Sequence, residues 1–124
     1  MIPTPRNERI RITIPWPITV NHYWVVRSKR RFLSREALAF REEIALLARP
    51  YLYWFGDSRL SMHIDCYPPD KRKRDLDNLL KSTLDALQHA RVFNDDNQID
   101  RLSIWRHNDS TVKEGCAVVT ITVC

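Results

Sequence analysis

The 124 residues predict one small domain of mixed strands and helices, with elements in the order β-α-β-α-β-β. Three observations carry this expectation. Two stretches alternate apolar and polar residues with period two, residues 76–87 carry an apolar stripe at helical spacing, and prolines or Asn/Asp clusters punctuate the chain between them. The length fits a single domain over residues 1–124, with no repeat, low-complexity tract or linker. With 44% hydrophobic and 28% charged residues, the composition is that of a soluble globular protein.

Residues 9–14 read R-I-R-I-T-I and meet Pro15 and Pro17, which predicts a first strand stopped by proline. A polar, basic loop is expected from there to about Leu33. Ser34 is a suitable N-cap for a first helix running toward Pro50, with Leu38, Ile44 and Ala45 near helical spacing. The aromatic stretch 51–55 fits a helix end or a loop packed on the core. Leu60, Met62, Ile64 and Cys66 alternate with polar residues in a second strand, which Pro68 and Pro69 end. Leu76, Leu79, Leu80, Thr83, Leu84 and Leu87 form the stripe of a second helix starting at or just after Asp77. Residues 94–97 make an Asn/Asp-rich turn, and two more strands follow around Leu102–Ile104 and residues 118–123, separated by a turn at 108–110.

The net charge of +5 favours a polyanionic partner, and its distribution is more telling than its size. Arg27, Lys29, Arg30, Arg31 and Arg35 form one cluster, and Lys71, Arg72, Lys73 and Arg74 form another that abuts an acidic motif. Cys66, Cys116 and Cys124 are an odd number without C-x-x-C spacing, so they read as reduced, with Cys66 and Cys116 filling strand faces. Residues 1–9 lack the apolar segment of a secretory signal, and no apolar run is long enough to span a bilayer, so a cytoplasmic location and no membrane partner are expected.

The segment P-D-K-R-K-R-D-L-D-N lies where the second strand gives way to the second helix. Asp75 and Asp77, one residue apart at a helix start, can turn toward the same side while Leu76 turns inward. Lys81 is one helical turn beyond Asp77. If the strand after the 94–97 turn lies beside the second strand, Asp96 can close on Asp75 and Asp77. A three-carboxylate set of this kind, without His or Cys, selects Mg²⁺, with Mn²⁺ as substitute, over zinc. A phosphodiester there would meet a metal-activated water and a stabilised leaving oxygen, and Lys81 would neutralise developing charge. Spacing alone is equally compatible with Asp77 as an N-cap, Lys81 as the i+4 partner of Asp77 or Asp85, Asp95 and Asp96 as turn residues, and the basic run as a solvated face. His22, His63, His89 and His107 show no ligand spacing, and no phosphate-binding loop or nucleophile elbow occurs, so no small-molecule substrate is expected.

The run D-K-R-K-R-D-L-D-N-L-L-K-S-T-L-D-A-L, followed by F-N-D-D-N-Q-I, resembles the RusA family of phage and prophage Holliday-junction resolvases. The earlier I-T-I-P-W-P-I-T-V-N-H-Y-W resembles that family's opening strand and loop. The resemblance implies an α+β fold with a mixed sheet carrying two helices. It implies a Mg²⁺-dependent homodimeric endonuclease that binds four-way DNA junctions and nicks paired strands. Carried over by position, its essential acids fall on Asp75, Asp77 and Asp96 and its essential lysine on Lys81, with Asp95 an adjacent acid. Lys71, Arg72, Lys73 and Arg74 would grip backbone phosphates, and Asn21, Arg27 and Arg30 are further DNA-contact candidates. Arg91 stands where a small residue is expected after the second helix, and Val20 where a polar residue usually precedes Asn21. Rival readings are a junction- or single-strand-binding module without cleavage, and a metal-dependent nuclease acting on RNA or another branched DNA.

Overall fold

The computed structural model describes residues 9–109 and 111–124. The expectation about residues 1–8 and the last residue of the 108–110 turn fall outside the described residues. Among the described residues there are six strands and three α-helices: β1 (Ile10–Pro15), α1 (Val20–Tyr23), β2 (Trp24–Arg27), β3 (Arg30–Leu33), α2 (Arg35–Leu47), β4 (Leu60–Tyr67), α3 (Asp77–His89), β5 (Ile99–Arg106) and β6 (Cys116–Val123). Short 3₁₀ turns occupy Arg49–Tyr51 and Asp96–Gln98.

The main sheet has the order β1-β6-β4-β5. It is mixed, because β4 and β5 run parallel while β6 is antiparallel to both β1 and β4. One face is apolar: Ile10, Ile12 and Ile14 of β1, Leu60, Met62, Ile64 and Cys66 of β4, and Ala117, Val119 and Ile121 of β6 are all buried. The two longer helices supply the opposing layer through Phe40 and Ile44 of α2 and Leu79, Ala86 and Leu87 of α3. This is the α+β arrangement of a mixed sheet with two helices.

The expected basic loop before Leu33 is instead the short helix α1 followed by the hairpin β2–β3, paired Trp24↔Leu33 through Arg27↔Arg30. Its turn sets Ser28 and Lys29 at φ 50° and 64°, a conformation usually given to Gly, Asn or Asp. The hairpin therefore lacks the residues that announce one. Ser34 caps α2 as expected, its Oγ accepting from Ala37 N at 3.0 Å. The buried face of α2 is Ala37, Phe40 and Ile44, whereas Leu38 is half exposed, so the apolar stripe is rotated from the one expected through Leu38. In the aromatic stretch, Phe55 is fully buried and Tyr51 packs edge-on against Trp54, while Tyr53 stays exposed.

At the end of α3 the unexpected Arg91 adopts φ 63°. Its N–H donates to Gln88 O at 3.0 Å and Val92 N–H to Leu87 O at 3.4 Å, which is the Schellman pattern with arginine in the position glycine favours. Val92 is buried beyond it, so burial and hydrogen bonds offset the backbone cost. Among the cysteines no disulfide forms; Cys66 is buried, which pushes its thiol up to about 11. Among the described residues no helix is long and apolar enough to cross a membrane.

Candidate metal and nucleic-acid site

Pro68 and Pro69 end β4, and a loop then carries the basic run to the start of α3. The loop is tied down at several points. Val112 N–H donates to Pro68 O at 3.0 Å, the Arg106 guanidinium donates to Arg74 O, and the Arg74 guanidinium lies over Trp16, 5.4 Å from the ring centre. Gly115, at φ 74°, backs onto Pro69 and Trp16 so closely that a Cβ there would lie 2.9 Å from Pro69 Cδ.

Asp75 and Asp77 flank the N-terminus of α3 and both are exposed. Leu76 holds the cap position in helical backbone, and no side chain caps the helix. Asp77 is thus the first helical residue rather than an N-cap, and its carboxylate is not consumed by the backbone. Two orphan N–H groups are met by main-chain bonds, Asn78 N to Asp75 O at 3.2 Å and Leu79 N to Leu76 O at 3.1 Å. Both carboxylates stand at the positive pole of the helix.

The adjacent cations do not neutralise this pair. Arg74 reaches back to Asp70 at 2.8 Å, and Arg72 to the same carboxylate at 3.3 Å. The hydrogen bond from Arg72 N–H, then the Arg74 contact, hold the Asp70 carboxyl below the usual range. Among the described residues, neither Asp75 nor Asp77 has an ion pair. Arg74 is mostly buried and spends its guanidinium within the loop, whereas Lys71, Arg72 and Lys73 are exposed.

Asp75 lines a cavity of about 300 Å³ together with Thr19, Asn21, Lys73, Arg74 and Asn78. Asn21 arrives there on α1. A neighbouring cleft of about 500 Å³ is lined by Lys71, Arg72, Lys73, Arg74, Arg106, Asn108 and Asp109. The two share Lys73 and Arg74, and five of their eleven lining residues are cationic. Thr19, Asn78 and Arg106 were not singled out by sequence reasoning; Asn78 and Thr19 lie within three residues of residues that were. Arg27 and Arg30 are exposed at the hairpin tip, and no contact among the described residues joins them to this cleft.

Lys81 is exposed one turn into α3 and makes no ion pair with Asp77 or Asp85. Asp85 is instead held by α2 and α1: Arg41 donates from Nε at 2.9 Å and Nη2 at 2.6 Å, and the buried Tyr23 hydroxyl also donates to it. Lys81 faces Asp96 electrostatically. Partial burial, then the adjacent Asp95, raise the Asp96 carboxyl above the ordinary range, while Asn97 N–H and Lys81 oppose the rise.

The 94–97 turn sorts its two acids. Asp95 caps the 3₁₀ turn, accepting from Asn97 N–H at 2.9 Å, while Gln98 Oε1 accepts from Asp95 N–H at 2.9 Å. Asp96 does no capping, and its N–H is held by Gln88 Oε1 at 2.9 Å. The strand after this turn does lie beside β4, but in parallel. Asp96 therefore enters near the Leu60 end of β4, along the C-terminal half of α3, whereas Asp75 and Asp77 stand at the opposite end of that helix. Among the described residues no three His, Cys, Asp or Glu side chains are grouped to hold a metal ion, so the expected closure of Asp96 on the pair is not present within the chain. The pair itself suits a hard cation, because Mg²⁺ is commonly held by one or two carboxylates plus substrate phosphate and water.

A family model described as Endodeoxyribonuclease RusA matches residues 15–123. A crossover junction endodeoxyribonuclease of Enterobacteria phage HK97 is 35% identical over 97 residues, covering 77% of this chain and 81% of that protein. Relatives of the same description from Enterobacteria phage 82 and from Escherichia coli K12 are each 37% identical over 89 residues, covering 71% of this chain and 74% of theirs.

Proposed function

This chain belongs to the RusA endodeoxyribonuclease family, and on that premise we propose that it is an endonuclease that resolves four-way DNA junctions by paired, symmetric nicks during recombination and repair. The observation that carries this reading for these particular residues is the carboxylate pair Asp75–Asp77. It is left without a cation although four basic residues directly precede it, because Asp70 takes Arg72 and Arg74. A folded loop that binds its own arginines elsewhere leaves both carboxylates available for a cation.

Family membership carries a divalent-metal requirement, and for this chain we assign Mg²⁺, with Mn²⁺ as a substitute, to Asp75 and Asp77; Asp96, which stands apart from the pair within one chain, is kept as the third acid on the resemblance alone. When bound, the metal supplies an activated water and stabilises the leaving oxygen of a phosphodiester. The chain's own groups do the rest. Lys71 and Lys73 are exposed beside the acids and hold backbone phosphates, joined by Arg72 when a phosphate displaces its 3.3 Å contact with Asp70, with Arg74 stiffening the loop that presents them. Asn21 and Asn78 border the space before Asp75 and orient a phosphate or water there. Lys81 offsets negative charge between the pair and Asp96. The hairpin cations Arg27 and Arg30 make a second, separate backbone contact. The enzyme acts as a single-domain, cytoplasmic homodimer, since two equivalent strands of a junction call for two equivalent sites.

The experiment is incubation of the protein with synthetic four-way junction, linear duplex and structured RNA in equal amounts, with and without Mg²⁺. Mg²⁺-dependent paired nicks in the junction alone are expected. Binding without nicking, or preferential cleavage of the RNA, would replace this reading.

A further inference from the structure

The two edges of the main sheet differ in a way that points outward from the molecule. On β1, the residues of the apolar face are buried, and the strand ends at Pro15, which cannot donate to a further strand. On β5 the corresponding face is open: Leu102 is 42% exposed and Ile104 only partly covered. On the other face, Trp105 is 60% exposed. This strand has no proline, glycine or lysine to blunt it. Its single irregularity lies at Asp100, between the registers Leu60↔Ile99 and Ser61↔Arg101, so residues 101–106 form a regular edge paired only to β4 among the described residues.

The sequence of that edge is complementary to itself. Consider β5 meeting a second β5 antiparallel across a two-fold axis perpendicular to the sheet, which keeps both helix layers on one side. The axis must then pass beside a residue that faces its own copy. With Ser103 at that point, Leu102 faces Ile104 and Arg101 faces Trp105. Both pairs are favourable: apolar on apolar on the helix side, guanidinium beside indole on the other. Asp100 and Arg106 lie outside this pairing, since Asp100 is forked by Arg59 and Arg106 donates to Arg74 O. Moving the axis to Leu102 places Arg101 opposite Ser103 and Leu102 opposite itself, losing the guanidinium–indole pair. Of these two registers, the one centred on Ser103 gives Arg101 a partner.

We propose that β5 is the seam of the homodimer, joining two four-stranded sheets into one of eight strands centred on Ser103. The proposal rests on the homodimer reading above and specifies its surface. The partner is a second copy of this chain, and what it covers is the exposed Leu102 and Trp105 and the partly buried Ile104.

Cross-linking tests the register and light scattering tests the surface, both on the full chain carrying Cys124→Ser to remove the exposed native thiol. Directly opposed residues of an antiparallel pair have Cα atoms about 4.5 to 5.5 Å apart, within disulfide range. Ser103→Cys should give a disulfide-linked dimer on mild oxidation. Arg101→Cys should not link to its own copy, since four residues of offset place the thiols about 13 Å apart along the strand. Leu102→Asp should halve the mass seen by light scattering with the circular dichroism unchanged. A dimer that persists in Leu102→Asp, without the Ser103→Cys link, would overturn the β5 seam while leaving the homodimer standing. A parent protein that is monomeric throughout would overturn both.

Discussion

Replacing Asp85 by Asn should lower stability without removing chemistry, although Asp85 lies one turn beyond Lys81 in the family's acidic helix. Its Oδ2 accepts from Arg41 Nε at 2.9 Å and Nη2 at 2.6 Å and from the Tyr23 hydroxyl, and Arg41 Nε also lies 3.1 Å from that hydroxyl. Tyr23 is 1% exposed, and the Arg41 and Asp85 side chains are 20% and 37% exposed. Breaking a fully buried pair costs about 3 to 5 kcal/mol. Exposure of a third of the Asp85 side chain admits solvent screening, so about 1 to 3 kcal/mol is expected here. Unfolding entropy of about 2.1 cal/mol/K per residue, over 124 residues, makes each kcal/mol worth about 4 °C in Tm, which predicts a fall of about 4 to 12 °C. Tyr23→Phe, which removes one hydrogen bond to a charged group, should cost about 1 to 2 kcal/mol. The knot joins α1, α2 and α3, and α1 carries Asn21 to the Asp75 cavity, so a modest loss of nicking is expected near the lowered Tm and near-normal nicking well below it. Urea titration followed by circular dichroism gives the stability, and Mg²⁺ nicking of a four-way junction at several temperatures gives the activity. An Asp85→Asn protein as stable as its parent but unable to nick at any temperature would refute the strut and move Asp85 into the chemistry.

Asp75→Asn should fold and still bind junction, because a negative charge beside the phosphate is removed while the cations remain, but nicking should fall by about two orders of magnitude or more. A gel-shift titration and a nicking assay on one preparation decide this, and near-normal nicking would remove Asp75 from the metal site. The double change Lys71→Ala with Lys73→Ala should flatten the dependence of log binding constant on log salt by about 1.4 to 1.8, at roughly 0.7 to 0.9 per lost phosphate contact. An unchanged slope would take both lysines off the DNA. Burial alone would raise the Asp65 carboxyl, yet hydrogen bonds from His107 at 2.7 Å and His63 at 2.9 Å outweigh it and hold the carboxyl below its ordinary 3.8. A depressed carboxyl stabilises the fold above its unfolded value and loses that contribution as pH falls through the folded one, so stability should drop on acidification below about pH 4. Asp65→Asn should be less stable at neutral pH and lose part of this acid dependence, as urea midpoints across a pH series would report.

Much of the fold was legible because its signals are local. The alternation in β4, the stripe of α3 and the Ser34 cap each depend on a few neighbouring residues, and each appears where it was expected. The hairpin β2–β3 escaped because its turn forces Ser28 and Lys29 into left-handed backbone, and because opposed Arg27 and Arg30 look like solvated loop. The rotated face of α2 escaped for another reason. Leu38 is more hydrophobic than Ala37, but the buried Ala37, Phe40, Ile44 and Ala48 keep the three- and four-residue spacing of one helix face, which excludes Leu38. The adjacency of β5 to β4 was anticipated, but not its parallel direction, which separates Asp96 from Asp75 along α3.

The acidic residues show most clearly what sequence leaves open. Nine aspartates lie between residues 57 and 100, and as a pattern several are interchangeable. Their partners are not. Asp57 accepts from Asn94, Asp65 holds two histidines, Asp70 holds two arginines, Asp85 holds Arg41 and Tyr23, Asp95 caps a turn, and Asp100 is forked by Arg59. Among the described residues Asp75 and Asp77 make no ion pair or side-chain hydrogen bond, and Asp96 makes no ion pair. A chain with 20 lysines and arginines has ample means to neutralise three more exposed carboxylates, and four of those cations immediately precede Asp75. Folding stability alone gives no reason to direct Arg72 and Arg74 backward to Asp70 while leaving two exposed acids without an ion pair at a helix start. Occupation by a cation together with a phosphate does give one, since the same loop then offers negative oxygens to the ion and outward-facing ammonium groups to the strand that carries it. The residues singled out by resemblance thus include the two acids, Asp75 and Asp77, that the fold leaves without an ion pair among the described residues.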